Sequence, residues 1–320
     1  PQAAVEIMTG AVLPPGTDTV VRYEDLIISG PATGPRVATL NPGLALARGQ
    51  AVHRQGADRR AGDVLLPVGT RLSPAALAVA ATIGAATVPG SRRARVAVVG
   101  TGDEAIPFAE TPLPHQIRRS NGLMLQALMQ EAGAEADLFH LPDDADHLRQ
   151  ALPALLTGYD VVVLSGGVSK GRADFLPAVL RELGALEIFH EVAQRPRKPL
   201  WFGRYSGGAV VFGLPGNPVS SFVSAVRYVR PWLWAAAGEA AGTPELAVLT
   251  EAVTFAPPLT YFLPVRLLSG PDGRLLATPQ RDGGSGDLAL LLTADGFLEL
   301  PAHRSTFAPG EGLPVWRVQT

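Results

Sequence analysis

Four aliphatic residues that run into a pair of glycines constrain this chain most: residues 161–174 read VVVLSGGVSKGRAD. Val161, Val162, Val163 and Leu164 carry no polar side chain, the pattern of a strand buried on both faces of a parallel sheet. Ser165, Gly166 and Gly167 follow at once, and a helical pattern begins near Asp174. Strand, glycine turn and helix is how an open α/β sheet turns backbone N–H groups toward an anion. Glycine lets a phosphate come closer than a Cβ would allow. Asp174, beside that phosphate, suits a metal ion or a transferred proton. Taken alone, the segment is equally an ordinary β-to-α loop with an N-capping aspartate.

Composition narrows the classes. A chain of 320 residues exceeds one ordinary core, so two to three domains are expected. The net charge of −2 argues for neither a nucleic-acid nor a membrane surface. With no Cys there is no disulfide, thiolate metal site or Cys nucleophile. The six His residues are scattered without ligand spacing, so each reads as a surface or packing residue. No apolar run reaches the roughly 18 residues of a membrane span, and residues 77–88 are interrupted by Thr82 and Gly84. No signal peptide is visible, so a cytoplasmic enzyme is expected. The chain opens on PQAAVEIMTG without an initiator Met, which implies a natural start further upstream or one that has been removed.

Along the chain the patterns change twice. Residues 1–72 combine PPG and NPG turns with short β-formers at 19–23 and 36–40, and helix signals are nearly absent. Ser73-Pro74, an N-cap followed by Pro at N1, opens an Ala-rich helix ending near Gly84. From Arg95 strands alternate with helices: strands at 95–100, 136–140, 160–164, 187–192, 200–202 and 209–212, and helices at 121–132, 144–157, 175–183 and 217–236. This alternation predicts a doubly wound, mainly parallel sheet with ligands at the carboxyl ends of its strands. After a linker at 239–243, short strands with Gly/Pro turns return and predict a small C-terminal β-barrel. The fold class is therefore α/β plus β, with a β-rich N-terminal region.

Four loops would meet at the sheet edge. Thr101-Gly102-Asp103-Glu104 offers a hydroxyl, a flexible backbone and two acids. The second is SGGVS, Ser165 to Ser169, with Asp174. In the third, Arg195-Pro196-Arg197-Lys198-Pro199, prolines stiffen a run of cations. The fourth, Leu214-Pro215-Gly216-Asn217-Pro218-Val219-Ser220, leads into a helix capped by Asn217. Each alone is also explained by turn chemistry or a solvated charge run. Together they supply acids for Mg²⁺, cations for an oxyanion, and anion-binding helix starts, the set that phosphoanhydride chemistry needs.

In this order and spacing the loops resemble the molybdopterin molybdenumtransferase family, that is, bacterial MoeA and the E domains of gephyrin and plant Cnx proteins. The segment Glu6-Ile7-Met8-Thr9-Gly10-Ala11 with Pro14-Pro15-Gly16, the stretch from Gly56 to Asp63 with Asp58, and the C-terminal DGFLELP of residues 295–301 also resemble the family. The resemblance spans essentially the whole chain. It implies an elongated homodimer of four-domain subunits, divided here into a partial β-barrel-like domain at 1–44, an extended β-rich linking domain at 45–72, the α/β molybdopterin-binding domain at 73–242 and the C-terminal barrel at 243–320. It implies insertion of molybdate, the substrate, into adenylyl-molybdopterin with release of AMP, assisted by Mg²⁺. The upstream adenylyltransferase is an implied partner. Asp174, Glu104, Lys198 and Asp58 become the expected catalytic residues, with Asp174 and Glu104 on the metal. Thr9, Gly10, Thr101, Gly102, Asp103, Asn121, Ser165, Gly166, Gly167, Ser169, Arg195, Pro215, Gly216, Asn217 and Ser220 become expected substrate contacts. The active site would lie at the subunit interface.

The chain departs from the family pattern in three places. Arg195 stands where a Lys is usual, and Arg197 where a Gly separates the basic pair. Arg119 precedes Ser120-Asn121 where many members carry an acid. The family's N-terminal D-x-P and Ser–Asp-Gly-Tyr signatures are missing, so the chain is N-terminally incomplete relative to the family. Competing readings are the related molybdopterin adenylyltransferase, a non-catalytic gephyrin-like scaffold, and a degenerate structural paralogue. Molybdate and tungstate are not distinguished by sequence.

Overall fold

The computed structural model describes residues 3–168, 175–239, 243–280 and 286–318. By internal contacts the chain forms two units, residues 1–67 and 68–320. In the first, regular pairing among the described residues is confined to strands β1 (Leu26–Ser29) and β2 (Val37–Leu40), antiparallel with Leu26 opposite Leu40. The β-formers at 19–23 do not make a strand. A single helical turn at Tyr23–Asp25, closed by the Arg22–Asp25 ion pair, bends the chain there, and pairing starts only beyond it.

In the second unit, helix α1 (Pro74–Thr82) starts as its sequence predicts: the Ser73 hydroxyl accepts from the Ala76 N–H, and Pro74 takes the first turn, where no donor is needed. Chain order continues with β3 (Arg95–Thr101), β4 (Ala105–Ile106), β5 (Ile117–Arg118), α2 (Ser120–Glu131), β6 (Glu135–Leu141), α3 (Ala145–Gly158) and β7 (Val161–Ser165). Then come α4 (Leu176–Glu182), β8 (Ala185–His190), β9 (Gln194–Arg195), β10 (Trp201–Tyr205), β11 (Val210–Leu214) and α5 (Pro218–Ser224). A π-turn at Ala225–Val229 carries α5 into α6 (Arg230–Ala236).

Six strands form one sheet in the order β6-β3-β7-β11-β10-β8. The pairs β6–β3, β3–β7 and β7–β11 are parallel, while β10 is antiparallel to both neighbours. The period of two sorts β3 and β7 onto both faces. Val96, Val98, Val161 and Val163 pack with α2, α5 and the π-turn, whereas Ala97, Val99, Val162 and Leu164 pack with α3 and α4. Val161 to Leu164 are fully buried, which stabilises the sheet by roughly 1.5–3 kcal/mol per side chain.

The remaining elements are β12 (Leu246–Leu249), β13 (Val253–Thr254), β14 (Thr260–Ser269), β15 (Leu275–Pro279), α7 (Leu290–Thr293), β16 (Gly296–Leu300), β17 (Thr306–Phe307) and β18 (Gly312–Arg317). The order β15-β12-β18-β16-β14, with β14 also paired to β15, closes a five-stranded barrel. Tyr261, Leu263 and Val265 of β14 point into it. Phe262 points out and joins the core beneath the α5 face of the sheet. Strand β9, from the basic loop, adds itself to the barrel beside β14. Most of the linker expected at 239–243 lies outside the described residues.

Candidate active site

The chain leaves β3 through α2 to β6 on one side, then crosses through α3 to β7 on the other. The β3/β7 boundary is therefore the switch point at which loops diverge and leave a crevice above the carboxyl ends. A cleft of about 600 Å³ opens there. Thr101, Gly102, Glu104, Asn121, Ser165, Gly166, Gly167, Pro215, Gly216 and Asn217 all line it. Arg197 and Pro199 of the basic loop line it too, so all four loops reach the cleft as their sequence predicts.

Backbone proximity explains the glycines. Gly166 has φ +102°, and a Cβ there would lie 2.7 Å from Thr101 Oγ1 and 3.2 Å from the Thr101 carbonyl oxygen. Gly102 has φ +122°, and a Cβ would meet the Glu104 carboxylate at 2.9 Å, so this carboxylate folds over bare backbone. The Gly166 N–H donates to the Leu214 carbonyl at 3.2 Å. In this conformation it braces β7 to β11 and does not face an anion; Gly166 shapes the floor by its missing side chain.

Asn121, in the first turn of α2, ties the cleft together. Its Nδ2 donates to Ser165 Oγ at 3.2 Å and to the Gly216 carbonyl at 2.7 Å. Ser165 Oγ lies 3.3 Å from Ser221 Oγ, which donates to the Pro215 carbonyl. With both amide hydrogens used, Asn121 presents Oδ1 as an acceptor. Among the described residues Asn121 Oδ1 and Thr101 Oγ1 are buried without a hydrogen-bond partner. Buried polar atoms are rarely left so. Asn217 accepts from the Ser220 N–H at 3.4 Å and the Ser220 hydroxyl at 3.2 Å. Ser220 is fully buried, and its hydroxyl serves this cap.

Sequence reasoning missed several lining residues, Arg118, Arg119, His140 and Asp143, and placed Arg197 in a converging loop without singling it out. His140 sits near the end of β6. Burial, then the charge of Arg119, hold its pKa below the ordinary imidazole value against the opposing pull of Asp103 and Glu104. Its position at a strand end beside the switch point was the available signal. Asp103 accepts a hydrogen bond from the Asp143 N–H at 3.3 Å and so links the β3 and β6 loops.

The basic loop divides. Arg195 stands over the rings of Tyr261 and Phe255, 5.2 and 5.7 Å from their centroids, against the barrel. Lys198 is exposed, and its carbonyl accepts from the Val192 N–H at 2.9 Å. Neither lines the cleft, whereas Arg197 and Pro199 do. Ser169 and Asp174 lie outside the described residues. Thr9, Gly10 and Asp58 belong to the N-terminal unit, where Asp58 is exposed and paired with His53 at 3.1 Å. Among the described residues no group of three or more His, Asp or Glu forms a metal cluster, and no helix is long and apolar enough to cross a membrane.

Comparison with known proteins fits this geometry. Residues 1–84 match the MoeA N-terminal region (domain I and II), 97–235 the family described as "Probable molybdopterin binding domain", and 246–318 the MoeA C-terminal region (domain IV). A molybdopterin molybdenumtransferase from Synechocystis sp. is 37% identical over 314 residues, covering 98% of this chain and 77% of that protein. One from Bacillus subtilis is 33% identical, covering 98% and 73%. The crystal structure of the molybdopterin biosynthesis MoeA protein from Pyrococcus horikosii superposes with a TM-score of 0.76 at 32% identity, over 98% of this chain and 75% of that one. The chain belongs to the molybdopterin molybdenumtransferase family.

Proposed function

We propose that this chain is a transferase of molybdenum cofactor biosynthesis that inserts molybdate into adenylyl-molybdopterin and releases AMP. The observation that carries this reading is the cleft at the β3/β7 switch point, where Thr101, Gly102, Asn121, Ser165, Gly166 and Gly167 meet Pro215, Gly216 and Asn217. Thr101, Gly102, Asn121, Ser165, Gly166 and Gly167, with Ser169, hold the phosphorylated pterin. Pro215, Gly216 and Asn217 form the opposite wall, and Ser220 supports it. Arg195 and Lys198 keep the role the resemblance gives them, attraction of the oxyanion.

Mg²⁺ usually binds through one or two carboxylates plus substrate phosphates. The Glu104 carboxylate, folded over Gly102 at the cleft wall, fits that pattern. Glu104 and Asp174 would hold the ion, which supplies neutralising charge at the phosphoanhydride. The enzyme works in the cytoplasm as a homodimer, with Thr9, Gly10 and Asp58 acting at the subunit interface, and receives its substrate from the upstream adenylyltransferase. Matches to MoeA regions on both flanks of the α/β sheet favour this reading over the adenylyltransferase and scaffold alternatives.

The test is AMP release from adenylyl-molybdopterin in the presence of Mg²⁺ and molybdate. AMP is expected only when all three are present. Binding without AMP release would favour the scaffold, and synthesis of adenylyl-molybdopterin from ATP would favour the adenylyltransferase. Glu104→Gln should slow release by roughly two orders of magnitude, and Asp174→Asn by more. Both should keep their urea unfolding midpoint; full activity at saturating Mg²⁺ would remove the residue from the mechanism.

A further inference from the structure

Arg197 has φ +55°, in the left-handed region. A residue with a Cβ is disfavoured there, and Gly or Asn would meet the turn more easily. The loop is otherwise well anchored. The Val192 N–H donates to the Lys198 carbonyl at 2.9 Å and the Glu191 N–H to the Leu200 carbonyl at 3.1 Å. Pro196 and Pro199 flank the position. The anchoring holds the left-handed turn in place, and it does not require an arginine in it.

The side chain supplies the reason for one. Arg197 is the member of the basic loop that lines the cleft, and it is exposed. Arg118 and Arg119 line the same cleft, against the two acids Glu104 and Asp143. Among the described residues no carboxylate forms an ion pair with Arg197. Among the described lining residues three arginines thus face two carboxylates, and an exposed guanidinium in such a cleft is placed to make paired, charge-assisted hydrogen bonds to an oxyanion. Strained backbone of this kind persists where the surrounding structure enforces it, and it clusters at binding sites.

We propose that Arg197 binds an oxyanion in the cleft, either a phosphoryl group or tetrahedral molybdate, and that the left-handed turn is retained at the expense of stability to aim it. The proposal rests on the function proposed above. Three variants separate charge from backbone: Arg197→Gly removes both strain and charge, Arg197→Asn removes the charge in a residue that tolerates the turn, and Arg197→Lys keeps the charge and the strain.

Without ligand, Arg197→Gly should raise Tm by about 2–4 °C. Calorimetric titration with AMP and, separately, with sodium molybdate should show Kd raised about tenfold for one of them in the Gly and Asn variants. The Lys variant should lose less than about threefold, because a point charge retains part of the contact. Weakening confined to AMP assigns the phosphoryl group, and weakening confined to molybdate assigns the substrate oxyanion. Unchanged Kd values for both ligands in Arg197→Gly, equal weakening in the Lys and Gly variants, or a lower Tm in Arg197→Gly would each overturn the proposal. Were the wild-type protein to bind neither ligand, the proposed function would fall, and this inference with it.

Discussion

Asn121 makes two donor contacts across the cleft and leaves one acceptor buried. Asn121→Asp keeps the shape but sets a carboxylate against the Gly216 carbonyl. The expected cost is about 1–3 kcal/mol, the penalty of a buried group losing its partner, with AMP release lost more steeply than stability. Urea unfolding read beside AMP release checks this; equal, small effects on both would make Asn121 a structural strap only. His140 titrates in the opposite sense to a salt-bridged histidine. Its folded pKa is lowered, so as pH falls below about 6.5 the unfolded chain takes up the proton first. Stability should fall as pH drops from there to the folded pKa, then level off. His140→Gln should flatten that limb in urea titrations between about pH 5 and 8; an identical slope would mean another group causes it. Residues at or just beyond a strand's end, such as Thr101, Glu104 and Ser165, were legible in the sequence because the strand end itself places them. His140, near the end of β6, carried the same signal; Arg118 and Arg119 did not, because their approach depends on how β5 and α2 fold back onto β3.

At the scale of elements, long apolar runs and caps were legible because local physics decides them: Val161 to Leu164, Ser73 before α1, Asn217 before α5. Residues 217–236 read as one helix, yet a π-turn interrupts it just before Pro231. Proline has no N–H to donate, so the preceding turn widens, a change of bonding register that periodicity does not reveal. The widened turn carries Tyr228, whose hydroxyl donates to Gln194 Oε1 at 2.7 Å, while Gln194 Nε2 reaches Ser224 Oγ at 3.4 Å. Gln194 is buried at the start of β9, the two-residue strand that leads into the basic loop and pairs with the barrel. So short a strand has no sequence pattern of its own; the barrel edge recruits it. Gln194→Ala should cost about 1–3 kcal/mol by stranding the Tyr228 hydroxyl. It should also weaken anion binding, because the loop bearing Arg197 loses its anchor. Chemical denaturation and calorimetric titration measure the two effects, and a loss of stability with unchanged anion affinity would show that the loop holds its shape without Gln194.

For the whole molecule, the barrel and the α/β sheet share apolar packing. Phe262 and Phe297 sit in the same core as Phe222 and Val226, and buried Arg230 donates to the Arg317 carbonyl at 2.7 Å. The barrel was legible as a class from its turns, but its closure through β14 and β15 was not, since pairing between distant strands leaves no local mark. Assembly is a further step that the resemblance makes testable. It implies a homodimer whose active site takes Asp58 from one subunit and Asp174 from the other. In that arrangement Asp58→Ala and Asp174→Ala are each inactive alone. A mixed dimer then has one site with both defects and one with neither. Random re-pairing of equal amounts should therefore restore about a quarter of wild-type AMP release, since about half of the dimers are mixed and half of their sites are intact. Exchange is confirmed by differently tagged subunits co-purifying. Tagged exchange without any recovery would mean that the two carboxylates act from the same chain, or that Asp58 lies outside the site.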